Sequence, residues 1–164
     1  MPKRIDISKV AAVIGTLYPP PFDAPCRARI RQKIGDAAGI TQFGVNLLRL
    51  PPGAWSSQRH WHTHSEEFIY VLDGEIVLVT SDGEETMRAG DAAGFKANEG
   101  DGHCLQNRSD RDAVVLEIGS RVADDVGFYP DIDLITPREG KPALYTRRDG
   151  SPYEDIRRRG PQDE

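Results

Sequence analysis

Three of the four histidines in the sequence lie within five positions, and two adjacent glutamates follow them. These residues are His60, His62, His64, Glu66 and Glu67. Imidazole nitrogens and carboxylate oxygens are common ligands of divalent transition metals. A solvated surface more often carries lysine or arginine at such positions, and an apolar core carries none of these residue types. The stretch therefore raises the hypothesis of a metal site.

The geometry of a β-strand determines which of these side chains can meet. Residues two apart on a strand point to the same face, so His60 and His62 project together. Glu67 begins the next candidate strand, and an antiparallel hairpin would bring its carboxylate opposite the two histidines. The fourth histidine, His103, follows a glycine-rich turn at 100–102 and directly precedes a later candidate strand, so it could reach the same site. Three imidazoles and one carboxylate suit iron, manganese, cobalt, nickel or zinc, and leave two positions open on a six-coordinate metal.

The rest of the chain is typical of short strands separated by turn residues. Strands spaced by about 8–12 residues, without a long segment of helical period, favour an all-β sandwich or barrel. We find no internal repeat. The predicted strands are residues 28–34, 42–50, 54–61, 66–72, 75–80, 84–87, 92–96, 104–106 and 113–118.

Segments of different composition flank the predicted barrel at 28–119. Residues 1–27 include the proline-rich stretch YPPPFDAP and predict an N-terminal arm. Residues 120–164 are polar and broken by prolines, with one candidate strand at 143–146, and predict a C-terminal extension lying on the barrel or on a neighbouring subunit. Barrel edges tend to pair, and the arms carry apolar residues that would otherwise meet water, so we expect a homodimer. These residues are Phe22, Phe128, Tyr129 and Leu134.

Charge and composition argue against several classes of protein. The formal net charge of −5 argues against a general nucleic-acid binder. No run approaches the roughly 20 apolar residues of a membrane span, and the short apolar run that Gly15 interrupts does not predict a signal peptide. Two cysteines are too few for a disulfide framework, so we expect a cytoplasmic protein. The arginine pairs and triplets at 147–148 and 157–159 have acidic neighbours and are typical of a solvated tail, with a site for phosphate or another anionic partner as the alternative.

The first histidine segment resembles the first motif of the cupin superfamily, G-x5-H-x-H-x3,4-E-x6-G. Gly53 is followed, one residue late, by His60, His62, Glu67 and Gly74. The run from Glu67 to Gly74 has the spacing of the motif.

A second segment resembles the second cupin motif, G-x5-P-x-G-x2-H-x3-N. Gly90 leads through FKANEGDG to His103 and Asn107, with Lys96 in place of the proline and the glycine displaced into the following turn. The two matches together span about residues 42–119. The resemblance implies a cupin-type double-stranded β-helix, or jelly-roll barrel. The sequence is most similar to small single-domain bacterial cupins, some of which are labelled sugar-phosphate isomerases.

The resemblance implies one divalent transition metal, with His60, His62, Glu67 and His103 as its ligands. Glu66 is the rival carboxylate, because a one-residue shift in the turn would exchange it for Glu67, but the spacing of the motif favours Glu67. The glutamate that does not bind the metal, Glu66, and His64 at the mouth are candidate catalytic bases. Three further residues are candidates for contact with a substrate, namely Gln58, Arg49 and Lys96.

Such a site predicts a metal-dependent enzyme acting on a small oxygen-rich molecule, of the sugar or sugar-phosphate isomerase, epimerase or lyase type. An Fe(II) dioxygenase is an alternative, since it needs the same ligand types and two open positions. A further alternative is a non-catalytic module that binds or senses a small ligand through its metal, because a fold does not determine a function.

Overall fold

The computed structural model describes residues 4–136 and 145–163. Within these ranges the chain forms twelve strands, one short α-helix and two single-turn 3-10 helices, at Ile7–Lys9 and Ala24–Cys26. The strands and the helix are β1 (Ala12–Ile14), β2 (Ile30–Gln32), α1 (Ile34–Ala37), β3 (Phe43–Leu50), β4 (Trp61–His62), β5 (Glu67–Asp73), β6 (Glu75–Thr80), β7 (Gly83–Arg88), β8 (Ala92–Phe95), β9 (Cys104–Gln106), β10 (Ala113–Ser120), β11 (Gly127–Tyr129) and β12 (Leu134–Thr136).

Two antiparallel sheets form the barrel. The larger has the order β1-β2-β3-β10-β5-β8, and the smaller has the order β7-β6-β9. Strands that are neighbours in space are often distant in the chain, as with β3 and β10, which is typical of a jelly roll. A third, three-stranded sheet, β12-β11-β4, joins the C-terminal extension to the histidine segment. The structure thus confirms the all-β jelly-roll barrel.

The barrel interior is apolar at one end and polar at the other. Side chains alternate along β5, where Ile69 and Val71 are buried while Phe68 and Tyr70 are exposed. The side chains that point into the barrel become more polar along the strands. One layer across β3, β10 and β5 consists of Leu48, Val115 and Val71. The next layer contains Asn46 and Glu117, and the one after it contains Gly44, Gly119 and Glu67. Apolar burial stabilises the closed end of the barrel. The open end is left lined by groups that can contact a ligand.

A second apolar cluster lies under the two terminal segments. It joins the N-terminal segment to the C-terminal extension, and its buried members are Tyr18, Cys26, Tyr129, Leu134 and Tyr145. Cys26 and Cys104 are both buried and carry free thiols. Burial raises the pKa of Cys26 to about 12. These thiols therefore act as small buried apolar groups.

Most of the predicted strands are confirmed. Those at 75–80 and 104–106 have the predicted bounds, and most of the others differ by one or two residues at their ends. The N-terminal candidate at 28–34 shortens to β2, since α1 begins at Ile34. The candidate at 143–146 lies partly outside the described residues, where only its end is seen, as Thr146 bridges Ile135 and Pro152.

The strand predicted at 54–61 is wrong. Only its last residue belongs to a strand, β4, and the rest is held by isolated bridges at Trp55 and His60. The hydroxyl of Ser56 accepts a hydrogen bond from the backbone N–H of Leu105 at 2.9 Å, so a side chain takes the place of a ladder partner. The pattern of short strands and turn residues also did not predict β1, β11 and β12, which are three residues each and lie outside the predicted barrel. No helix within the described ranges is long and apolar enough to cross a membrane.

Candidate metal centre

Four side chains converge at the polar end of the barrel. Glu67 is the first residue of β5, and its Oε2 lies 2.9 Å from Nε2 of His103. The same oxygen lies 3.6 Å from Nε2 of His60 and 3.7 Å from Nε2 of His62. An antiparallel bridge joins the backbones of His60 and His103, with N···O distances of 3.1 and 2.9 Å, and so holds two distant segments side by side.

The carboxylate oxygen at the centre of this group is buried, and its 2.9 Å approach to Nε2 of His103 does not have the geometry of a hydrogen bond, so it has no hydrogen-bond partner among the described residues. Although 31% of the Glu67 side chain is exposed, Oε2 itself is not. An unsatisfied buried acceptor costs roughly 1–3 kcal/mol, so its presence needs a physical reason. Donor atoms of His60, His62 and Glu67 all lie within 4.8 Å of one another and could hold a metal ion. A bound cation would satisfy Oε2 of Glu67, so these side chains are suited to hold a metal ion.

The protonation states also suit a metal. Burial lowers the pKa of His60 to about 3, and the nearby His103 and His62 add to this effect against the opposing charge of Glu67. Burial disfavours the ionised form of Glu67, but the three imidazoles outweigh it and lower its pKa well below the ordinary value. His60 is therefore neutral and Glu67 ionised near neutral pH, as metal ligands must be.

Asp125, in the C-terminal extension, orients His62. Its Oδ2 lies 2.6 Å from Nδ1 of His62, so Nδ1 carries the proton and Nε2 faces Glu67 with a free lone pair. Its other oxygen accepts hydrogen bonds from the backbone N–H groups of His64 and Ser65, at 2.9 and 3.1 Å. Burial opposes the ionisation of Asp125, but the backbone donors and His62 lower its pKa. Sequence reasoning missed this residue, because no local spacing links it to a histidine 63 positions away.

The other two imidazoles are held by hydrogen bonding and stacking. Nδ1 of His60 lies 3.0 Å from the carbonyl oxygen of Gln58, and its ring stacks on Tyr129 with centroids 5.5 Å apart. The ring of His103 lies against Phe95 with centroids 3.5 Å apart and an interplanar angle of 2°. These contacts fix the ring planes before any ligand binds.

A cavity of about 390 Å³ adjoins the cluster. Gly44 and Gly119 have no side chains, which leaves space in the cavity wall beside Glu67. A Cβ added at Gly119 would lie in this space, 3.6 Å from Cγ of Glu67. Most of the remaining wall is polar or charged, and apart from the metal cluster none of these polar residues was predicted as a site residue from the sequence. They include Asn46, Ser56, Ser57, Glu117, Arg29, Arg31, Lys33 and Arg121.

The two predicted catalytic bases lie outside this cavity. His64 is exposed, with its Nδ1 2.9 Å from Oγ1 of Thr63. Glu66 is also exposed, and its backbone N–H donates to Oγ of Ser120 at 2.8 Å. The structure thus brings together His60, His62, Glu67 and His103, and leaves His64 and Glu66 on the surface beside them. A catalytic role for either stays a prediction.

The three predicted substrate contacts are engaged elsewhere. Gln58 donates to the carbonyl oxygen of Phe22 at 2.7 Å. Arg49 is half-exposed and pairs with Asp112 at 3.2 Å. Lys96 is 76% exposed and pairs with Glu99 at 3.4 Å. None of the three lines the 390 Å³ cavity, and their roles also stay predictions.

Residues 46–119 match the family model described as a cupin domain. A sugar phosphate isomerase of the cupin superfamily from Silicibacter pomeroyi is 40% identical, with 92% of this chain and 96% of that chain covered and a TM-score of 0.88. A candidate sugar phosphate isomerase from Acidithiobacillus ferrooxidans is 28% identical, with 75% and 78% covered and a TM-score of 0.69.

A more distant likeness shows the fold alone. A polyketide cyclase from Streptomyces resistomycificus is 22% identical, with 73% of this chain and 80% of that chain covered and a TM-score of 0.58. A search of curated proteins finds no match. The family match, the solved relative at 40% identity and the shared barrel agree, and the chain belongs to the cupin superfamily.

Proposed function

We propose that this protein is a divalent-metal-dependent enzyme acting on a small oxygen-rich molecule, of the sugar or sugar-phosphate isomerase, epimerase or lyase type. The observation that carries this proposal is the buried carboxylate oxygen of Glu67, which has no hydrogen-bond partner among the described residues. It lies among three imidazoles and beside a polar cavity. The Silicibacter pomeroyi relative is described as a sugar phosphate isomerase, which supports the same class of reaction.

His60, His62, Glu67 and His103 would hold the metal. When bound, a divalent ion at this position supplies a Lewis acid that polarises a carbonyl or hydroxyl oxygen of the substrate. Asp125 keeps His62 in the tautomer that such binding requires.

The chain's own contribution to proton transfer comes from the cavity wall. Glu117 lies opposite Asn46 and Ile69 and lines the cavity, so its carboxylate can take up a proton from a substrate carbon and return it. Arg31 donates two hydrogen bonds of 2.7 Å to Glu117 and fixes its orientation. The amide of Asn46 and the hydroxyl of Ser57 are suited to hydrogen bonds with substrate hydroxyl groups.

The polar wall distinguishes this proposal from an Fe(II) dioxygenase. An oxygenase of this kind needs open positions for O₂ and substrate in a largely apolar pocket, whereas arginine, lysine, glutamate and asparagine side chains line this cavity. Sugars and hydroxy acids match such a wall, because it can hydrogen-bond each of their oxygen atoms. A module that only binds its ligand would show the same wall, so turnover must be measured.

The test is proton exchange by the metal-loaded protein. We expect incubation with a panel of sugar phosphates and hydroxy acids in D₂O to place deuterium next to a carbonyl, as seen by NMR. Glu117→Gln should retain its metal and lose about 100-fold or more of this exchange, while Glu85→Gln, at an exposed glutamate of β7 outside the cavity, should remain close to wild type. Oxygen consumption without exchange would support the dioxygenase, and ligand binding without turnover would support the binding module.

A further inference from the structure

One wall of the cavity is strongly basic. Arg29, Arg31 and Lys33 alternate along β2 and its flanks, so all three side chains point to the face that lines the cavity. We call these three residues the basic wall. Arg121, directly after β10, lines the same cavity but is paired with Asp36.

Two of the three cations in the basic wall have no acidic partner among the described residues. Arg31 is neutralised by its paired hydrogen bonds to Glu117. Arg29 instead donates to neutral oxygen atoms: the carbonyl oxygen of Gly15 at 3.1 Å, Oγ1 of Thr16 at 3.2 Å, and the carbonyl oxygen of Ser56. Lys33 is exposed and forms no ion pair within the described ranges.

The C-terminal extension adds a further positive charge beside the basic wall. Nη1 of Arg158 lies 3.4 Å from the carbonyl oxygen of Gly15, which also accepts from Arg29. Burial, followed by the charges of Arg29 and Arg31, lowers the pKa of Arg158. This concentration of positive charge stands against a chain whose formal net charge is −5. In a confined cavity such a local charge attracts and orients anions.

We propose that the basic wall binds the phosphate group of a phosphate monoester whose hydroxyl or carbonyl end reaches the metal cluster. The inference rests on the proposed function and narrows its substrate to a phosphorylated molecule. A phosphate dianion accepts hydrogen bonds on three oxygens, and guanidinium and ammonium groups are its usual donors. A cavity of about 390 Å³ is large enough for one small ligand that spans the wall and the cluster.

The test is calorimetric titration of the metal-loaded protein with inorganic phosphate, alongside acetate at the same ionic strength. Lys33→Met and Arg29→Gln each remove one charge from the wall. Arg88→Met is the matched control, because Arg88 is an exposed basic residue of β7 that lies outside the cavity. We expect phosphate affinity to fall by about 5- to 10-fold in Lys33→Met and by more in Arg29→Gln, with little change in Arg88→Met.

Other results would overturn the inference. These are no phosphate binding by the wild-type protein at millimolar concentration, equal weakening in Arg88→Met, or acetate binding as tight as phosphate. Metal content, measured on the same samples, separates the two proposals. If the protein takes up no metal but its phosphate affinity falls in the wall variants, the anion site is supported and the metalloenzyme is contradicted. If the protein takes up metal but its phosphate affinity is unchanged in both wall variants, the metalloenzyme is supported and the anion site is contradicted.

Discussion

At the scale of single residues, ring orientation decides whether the four donors can act together. Nδ1 of His62 and of His60 face hydrogen-bond acceptors, Asp125 and the carbonyl oxygen of Gln58, so Nε2 of each ring faces Glu67. A ring in the other tautomer would present an N–H to the site instead of a lone pair. The supporting contacts therefore determine metal affinity as much as the ligands do.

Asp125→Asn should weaken metal binding by about 10- to 100-fold, because an amide no longer favours the tautomer with its proton on Nδ1 of His62. Competition with a chromogenic chelator measures this affinity. Asp124→Asn is the matched control, since Asp124 is the adjacent, exposed acid. Equal affinities in the two variants would show that Asp125 does not support the metal.

The sequence identifies the ligand candidates but not their supports. His60 and His62 share a strand parity, and Glu67 and His103 have motif spacing, so local pattern is enough for all four. Asp125 and Tyr129 reach the histidines from an extension whose path depends on tertiary packing. The placement of the basic wall follows from the register of β2 against β3, which composition does not encode.

At the scale of elements, the site depends on where strands begin and turn. Glu67 is the first residue of β5, and Gly74 forms the corner that passes the chain from the large sheet to the small one. Gly74 has φ +82, and a Cβ there would lie 2.7 Å from the carbonyl oxygen of Asp112 and 2.8 Å from Cα of Ala113. The corner thus needs glycine for both its conformation and its close approach to the backbone.

Gly74→Ala should lower the free energy of unfolding by at least about 2 kcal/mol more than Gly90→Ala does. Both positions have positive φ, but nothing lies within 4 Å of a Cβ added at Gly90, so the difference isolates the clash. Denaturant titration measures both values. Equal destabilisation would show that the backbone of the neighbouring strand moves away at little cost.

Strands with clear alternation are predictable from the sequence, and segments held by side chains are not. Ile69 and Val71 alternate with Phe68 and Tyr70, and β5 is found within one residue of its predicted bounds. The stretch at 54–61 instead has apolar residues only at its ends, Ala54, Trp55 and Trp61, and Ser56 bonds to β9 with its hydroxyl in place of a regular ladder.

At the scale of the whole molecule, the two ends of the chain are fastened together. Arg159 is 2% exposed and pairs with Asp155 at 2.6 Å, and its Nε lies 3.9 Å from the buried carboxylate of Asp23. The backbones of Arg159 and Thr16 form a bridge. The arginine-rich segment is therefore not uniformly a solvated tail, because one of its members is part of the interior.

Arg159→Ala should lower the free energy of unfolding by about 2–4 kcal/mol, because it removes a buried guanidinium that donates to the carbonyl oxygens of Tyr18 and Asp155. Asp23 keeps its closer partner, Arg27, at 2.7 Å. Arg157→Ala is the control, since Arg157 is 54% exposed and water screens its ion pairs, so its loss should change the stability little. Thermal and denaturant unfolding measure both. Similar stability of the two variants would contradict a structural role for Arg159.

The expected homodimer stays a prediction. Large apolar side chains are exposed on the outer face of β5, with Phe68 at 43% and Leu72 at 45%, and a second copy would cover them. Sedimentation equilibrium should give about twice the chain mass of 18.2 kDa. A single species at the chain mass would contradict this expectation.

The central claim is that His60, His62, Glu67 and His103 hold a divalent transition metal, and elemental analysis of untagged protein tests it most directly. We expect about one metal ion per chain in the wild type and in His64→Ala, whose histidine lies outside the cluster, and almost none in the His60→Ala/His62→Ala double variant. A wild-type protein that holds no metal after reconstitution, or a double variant that holds as much as the wild type, would contradict the account.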